Sequence, residues 1–203
     1  MFATLQPFDL IIQPGWNNSG PRHWQSHWQR RLGARRVDNA DWARPQLDDW
    51  LDGLDTALNR CVKPALVIAH SLGCIAVAHY ARHQPERIAG ALLVAPADVE
   101  RAFAPAELMN FAPVPRQPLP FPAKIVASSN DPFCKTARAA RLAGYWQAPI
   151  TWLQHAGHIN VDSGHQQWEE GWPLLRQLAW RAQRHLESRT VATATGCARL
   201  RPV

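Results

Sequence analysis

The stretch Leu66-Val67-Ile68-Ala69-His70-Ser71-Leu72-Gly73 decides how this chain is read. Leu66 to Ala69 form a short apolar run rich in β-branched residues, the composition of a buried parallel strand. The run breaks at His70-Ser71-Leu72-Gly73. Cys74 to His83 then has the composition of a helix, with small residues at Ala76, Ala78 and Ala81. A strand, a sharp turn with serine at its tip and a helix make the geometry of a nucleophile elbow. Backbone crowding in such a turn demands small residues two before and two after the serine. Ala69 and Gly73 occupy those places, so the usual G-x-S-x-G is altered by one methyl group at Ala69. The competing reading is an ordinary strand-to-helix turn in which Ser71 only caps the helix.

Working outward, Phe8 to Gln13 reads as a first strand and Pro14 to Pro21 as a loop. His23 to Leu32 reads as a helix with Trp24, Trp28 and Leu32 four apart, and Arg35 to Val37 as a short strand. Pro45 to Cys61 carries Leu47, Trp50, Leu51, Leu54 and Leu58 at helical spacing. Further strands fall at Ile88–Val94, Lys124–Ser128 and Ile150–Leu153, with helices at Thr136–Ala143 and Gln166–Leu186. Six prolines between Ala97 and Pro122 break any long element there. Phe103, Leu108, Met109, Phe111 and Phe121 give that stretch apolar side chains to bury, as in a packed excursion bordering a pocket. Strands alternating with helices predict an α/β fold: a mainly parallel sheet covered on both faces, with ligands bound beyond the carboxyl ends of the strands. One domain over residues 1–187 is expected, followed by a frayed tail over 188–203.

A serine nucleophile needs a base, an orienting acid and donors for an oxyanion. In elbow-type sites the chain order is serine, acid, histidine. Asp131 follows the strand ending at Ser128, and His158 follows the strand ending at Leu153. Asp131 is the candidate acid and His158 the candidate base. Asp98 is the rival acid, His155 the rival base, and an aspartate before proline also serves as a turn residue. Gly157 favours His158, because glycine lets the backbone place the next side chain in a crowded cleft. The oxyanion donors expected are the backbone N–H groups of Leu72 and Trp16, the latter in the loop after the first strand. The Trp16 indole would also wall the acyl pocket.

Composition narrows the alternatives. Among 203 residues, 46% are hydrophobic and 19% charged, which suits a folded globular chain rather than a disordered one. No apolar run is long enough to span a bilayer and the start of the chain lacks a secretory pattern, so a cytoplasmic location is the default expectation. Of the net charge of +6, three positive charges (Arg189, Arg199 and Arg201) lie in the acid-free end, so the basic balance argues weakly for nucleic acid. Ten tryptophans spread along the chain suit core and pocket packing better than a base-stacking platform. The four cysteines form no C-x-x-C pair and read as free thiols. His23 and His27 are four apart but lack the glutamate of H-E-x-x-H, so no metal and no cofactor is expected.

Pro14-Gly15-Trp16, S-G-P-R-H-W, A-H-S-L-G, S-S-N-D-P-F-C and G-H-I-N stand in that order along the chain. In this combination the sequence resembles the small α/β-hydrolases of the retinoblastoma-binding protein nine type, the YdeN-like serine hydrolases, over roughly residues 8 to 187. The resemblance implies a compact α/β-hydrolase fold, a Ser-Asp-His triad on Ser71, Asp131 and His158, and action on small esters or amides. It does not carry over the protein partner recorded in the family name. Two other readings use the same chain: a hydrolase fold kept as an interaction scaffold, and acyl transfer to an acceptor other than water.

Overall fold

The structure, a computed structural model, describes residues 3–198. Its strands are β1 (Asp9–Gln13), β2 (Arg35–Arg36), β3 (Ala65–His70), β4 (Ile88–Val94), β5 (Ala123–Ser128) and β6 (Ile150–Leu153). They form one sheet in the order β2-β1-β3-β4-β5-β6, and every neighbouring pair is parallel. The helices are α1 (Trp24–Leu32), α2 (Leu47–Asn59), α3 (Leu72–Tyr80), α4 (Thr136–Trp146) and α5 (Gly171–Ala198).

Side chains alternate across a strand, so each strand feeds two cores. Ile11, Val67, Ala69, Ala91, Leu93 and Ile125 face α2, α3 and α4, where Trp50, Leu54, Leu142 and Trp146 close the layer. Ile12, Leu66, Ile68, Leu92, Val94 and Val126 face α1 and α5. Every residue of β3, β4 and β5 is buried, which is why β4 and most of β3 read as apolar runs, while β5 also buries Lys124 and Ser128. Helix α3 is buried along its whole length. It therefore has no polar face, and its sequence shows small residues rather than a clean amphipathic stripe.

Four tryptophans knit α1 to the start of α5. Trp28 stacks on Trp172 with ring centroids 4.1 Å apart and on Trp168 at 5.4 Å, while Trp24 meets Trp168 at 4.9 Å. A Cβ on Gly171 would lie 2.7 Å from both the Trp28 and Trp168 rings, so glycine is what lets the rings close. Trp180, by contrast, is exposed on α5.

Several stretches differ from the sequence expectation, among them α4, which runs on to Trp146 rather than ending at Ala143. Helix α5 starts at Gly171 and runs to Ala198, past Leu186 and through part of the stretch expected to fray; residues 199–203, with Arg199 and Arg201, lie outside the described residues. No proline interrupts residues 174–198, and the hydroxyls of Ser188 and Thr190 bond back to the carbonyls of His185 and Leu186, inside the helix. Between β4 and β5, Leu108, Phe111 and Phe121 are buried as expected, but Phe103 and Met109 are exposed. A single 3₁₀ segment, Ala106–Phe111, turns only one side of that stretch inward. Helix α3 ends at Tyr80 rather than His83. Among the described residues no helix is long and apolar enough to cross a membrane.

Trp28 is fully buried and holds two rings in place, so Trp28→Ala removes packing that nothing nearby can refill. A loss of about 3–5 kcal/mol is expected, read from the urea midpoint at pH 7.

Candidate active site

Strand β3 delivers Ser71 to the carboxyl edge of the sheet in a conformation rare for a residue with a Cβ, at φ 54° and ψ −122°. Holding such a backbone costs about 1–3 kcal/mol. Neighbouring chain holds it: the Ser71 N–H donates to the Val94 carbonyl at 3.0 Å, and the Ser71 carbonyl accepts from Cys74 and Ala97. Gly73 lies against the carbonyls of Gln13 and Pro14, leaving no space for a Cβ. Gly15 is equally tight, since a Cβ there would sit 2.7 Å from the Ser71 Cβ. The loop after β1 is thus pressed onto the elbow, and Ala69 is tolerated, fully buried, at the remaining small position.

The structure brings Ser71, His158 and Asp131 together from three strand ends. His158 Nε2 stands 2.9 Å from Ser71 Oγ. On the other side of the ring, His158 Nδ1 lies 2.9 Å and 3.0 Å from the two Asp131 oxygens. The hydrogen-bonded order assigns the imidazole proton to Nδ1, leaving the Nε2 lone pair for the serine hydroxyl. Asp131 also accepts the Phe133 N–H at 2.8 Å, so it is the turn residue that an Asp-Pro sequence suggests as well as the partner of His158. The rival groups are placed elsewhere. His155 is exposed, and Asp98 is paired with Arg138 at 3.1 Å.

Loop 128–131 fastens the histidine loop by three consecutive side chains. Ser129 Oγ accepts the His155 N–H at 2.9 Å, Ser128 Oγ the Ala156 N–H at 3.0 Å, and Asn130 Oδ1 the Gly157 N–H at 2.8 Å. The Ser128 hydroxyl in turn donates to Asn130 Oδ1 at 2.8 Å. Gly157 takes φ +55°, and a Cβ there would meet Ser163 at 2.6 Å, so the next residue can swing into the cleft only behind a glycine.

Two more histidines support the site and stay neutral. His70 Nε2–H donates to the His158 carbonyl at 2.9 Å, and burial first, then His158 and His23, hold its imidazole well below its ordinary value. His23 caps α1, its Nδ1 accepting the Gln25 N–H at 3.1 Å. Burial, then the Arg36 charge and His158, bring His23 down to about 3. The potential metal pair is thereby occupied otherwise: His23 is a helix cap, and His27 Nδ1 lies 3.3 Å from Arg30. Gln25, fully buried, ties α1 to the sheet by donating to the carbonyls of Gln13 and Ile68. The buried thiols of Cys74 and Cys134 are both pushed up chiefly by desolvation, Cys134 to about 12, so they pack as small neutral groups.

A cavity of about 370 Å³ opens over Ser71. Trp16, Ala97, Pro105, Leu108 and Phe133 supply apolar walls, and Asn17, Asn18, Arg101 and Asn160 polar ones. The Trp16 indole is pinned by its N–H to the Ala43 carbonyl at 2.8 Å. Leu72 opens α3, where a backbone N–H has no carbonyl of its own helix to reach.

The family model described as serine hydrolase matches residues 10–177, from β1 into α5. The chain belongs to this serine hydrolase family. It is 26% identical over 168 residues to the YdeN protein of Bacillus subtilis strain 168, covering 76% of this chain and 87% of that protein. A solved YdeN-like protein of Pectobacterium atrosepticum superposes with a TM-score of 0.77 at 33% identity, over 89% of this chain and 93% of the other. A monoacylglycerol lipase of Paleococcus ferrophilus shares the fold at 11% identity, with a TM-score of 0.63 over 85% and 94% of the two chains. As a serine hydrolase family member with the α/β-hydrolase fold, the protein is a hydrolase, and the expected YdeN-like resemblance holds. His70, expected from its place beside Ser71 to point away and be structural, does hold the His158 backbone, whereas the Ser128–Asn130 clamp and Gln25 are not legible from the motifs. A glutamine on the buried face of a helix was the one available signal.

Histidines kept neutral by the fold make stability depend on acid in a known direction. Their folded values are lowered, so the unfolded chain binds more protons once pH falls below about 6.5. Stability is therefore full above that value and lost as pH drops toward 3, by up to about 1.4 kcal/mol per pH unit for each such histidine. Urea unfolding at steps from pH 7 to pH 4.5 should show this decline, and His70→Asn should flatten it.

Proposed function

We propose that the protein hydrolyses small esters or amides through an acyl-enzyme on Ser71, with His158 as general base and acid and Asp131 as its orienting partner. The observation that carries this is the hydrogen-bonded line from Ser71 Oγ to His158 Nε2 and from His158 Nδ1 to Asp131, at the floor of an open cavity. Ser71 Oγ attacks the acyl carbonyl while His158 Nε2 takes its proton. The imidazolium that forms is stabilised by the Asp131 carboxylate. It then protonates the leaving alcohol or amine as the tetrahedral intermediate collapses. Water, deprotonated by the same nitrogen, attacks the acyl-enzyme and releases the acid and Ser71. The backbone N–H groups of Leu72 and Trp16 stabilise the negative oxygen. The tight packing of Gly15 on Ser71 supports this placement, because it brings the Trp16 loop to the carbonyl that Ser71 attacks.

The small, partly apolar cavity favours a compact acyl group, with Trp16 and Leu108 as its walls. The clamp of loop 128–131 on residues 155–157 belongs to the same reading. Catalysis needs Nε2 within a few tenths of an ångström of its place, and the clamp sets the backbone from which His158 projects.

Intact mass after exposure to a fluorophosphonate should show one adduct on the wild type and none on Ser71→Ala. The same variant should lose at least about 10³-fold in ester kcat/KM. A folded wild type that takes no adduct removes the reading. Asn130→Ala should fold yet lower kcat by about 10–100-fold with little change in KM, whereas Asn130→Asp, which keeps an acceptor for the Gly157 N–H, should retain more activity. Steady-state kinetics on a short-chain aryl ester compares the three proteins.

A further inference from the structure

Arg101 is half-buried and lines the same cavity as Ser71 and His158. Its guanidinium carbon sits 5.9 Å from the centroid of the Phe133 ring. Phe133 in turn stands edge-on to His158, with centroids 4.7 Å apart. The guanidinium is therefore one aromatic ring away from the base. The two acidic side chains close to it in sequence, Asp98 and Glu100, are both engaged by the buried Arg138, and Glu100 also accepts the Val114 N–H at 3.0 Å. Among the described residues Arg101 has no carboxylate partner, and no other lysine or arginine lines the cavity. Two carboxylates also line it: Asp98, neutralised by Arg138 at 3.1 Å, and Asp162, which is exposed.

Direction matters here. The leaving group must receive its proton from His158 Nε2 and so departs on the side of that ring. Phe133 and Arg101 extend from the same ring. The Trp16 loop, pressed onto Ser71 through Gly15, takes the acyl side. We propose that Arg101 is a specificity-determining residue that binds a carboxylate on the leaving group, so that the preferred substrates are acyl esters of hydroxy acids or N-acyl amino acids. A guanidinium matches a carboxylate with two parallel hydrogen bonds, and packing on Phe133 preorganises it. This rests on the Ser71 reading and deepens it. Hydrolysis is the balanced step described above: the acyl bond to oxygen or nitrogen breaks, water supplies the new acyl–oxygen bond, and the carboxylate is unchanged.

The test compares 4-(butanoyloxy)benzoate with the neutral 4-(butanoyloxy)benzamide, which matches it in shape, on the wild type, Arg101→Leu and Arg101→Lys. The wild-type preference for the benzoate, as a ratio of kcat/KM values, should exceed that of Arg101→Leu at least fivefold. The change should lie in KM for the benzoate, and Arg101→Lys should retain part of the preference. Added salt should narrow the gap in the wild type and leave Arg101→Leu unmoved. An equal ratio in wild type and Arg101→Leu overturns the proposal while leaving Ser71 as the nucleophile. Binding of the benzoate to Ser71→Ala, with and without Arg101→Leu, reads recognition apart from turnover. At least fivefold weaker binding in the double variant supports the proposal even if Ser71 takes no fluorophosphonate, and equal binding overturns it.

Discussion

The backbone contact between the β1 loop and the elbow is the constraint on which the rest of the site depends. Gly15 rests on Ser71, and Gly73 rests on the carbonyls of Gln13 and Pro14, with no space for a single added carbon at either place. Two chain segments more than fifty residues apart are thus held at backbone distance. This closeness keeps Ser71 in its left-handed conformation, raises its hydroxyl clear of the sheet and places the Trp16 loop beside it. Strain of this kind persists only where the surroundings over-determine it. Here they do so through parallel strands on both sides, Gln25 bridging β1 and β3, and a helix α3 that is buried throughout.

Around that contact the charges are sorted by burial. His23 and His70 are neutral because burial penalises their cations, with Arg36 adding to the effect at His23 and His158 at both. A neutral row next to His158 places no like charge beside its ring. Among the described residues, the buried carboxylate in contact with that ring is Asp131. Asp98 and Glu100, which would compete for influence, are bound by Arg138.

The tryptophans link the two ends of the fold to the same loop. Trp24 donates its indole N–H to the Ile159 carbonyl at 2.8 Å, directly after His158, while packing edge-to-face within the cluster that joins α1 to Trp168 and Trp172. Packing energy on the far face of the sheet is thereby coupled to the position of His158. The long α5 extends this face outward, leaving Trp180 exposed.

The sequence by itself determined the strand–helix alternation, the elbow and the three residues at strand ends that the structure brings together. These are local signals: an apolar run, a small residue at Ala69 and Gly73, a glycine before His158 and polar residues just past a strand. In a parallel sheet all strand ends of one sense share an edge, so order along the chain becomes proximity in space. What only the tertiary structure decided lies between segments. The Ser128–Asn130 clamp joins loops 26 to 28 positions apart, and His70 reaches a carbonyl 88 positions away. The choice between Asp131 and Asp98 also depended on which carboxylate meets His158 and which meets Arg138. A hydrogen bond or ion pair leaves no periodicity in sequence, because its partners are set by how two loops happen to be folded against each other.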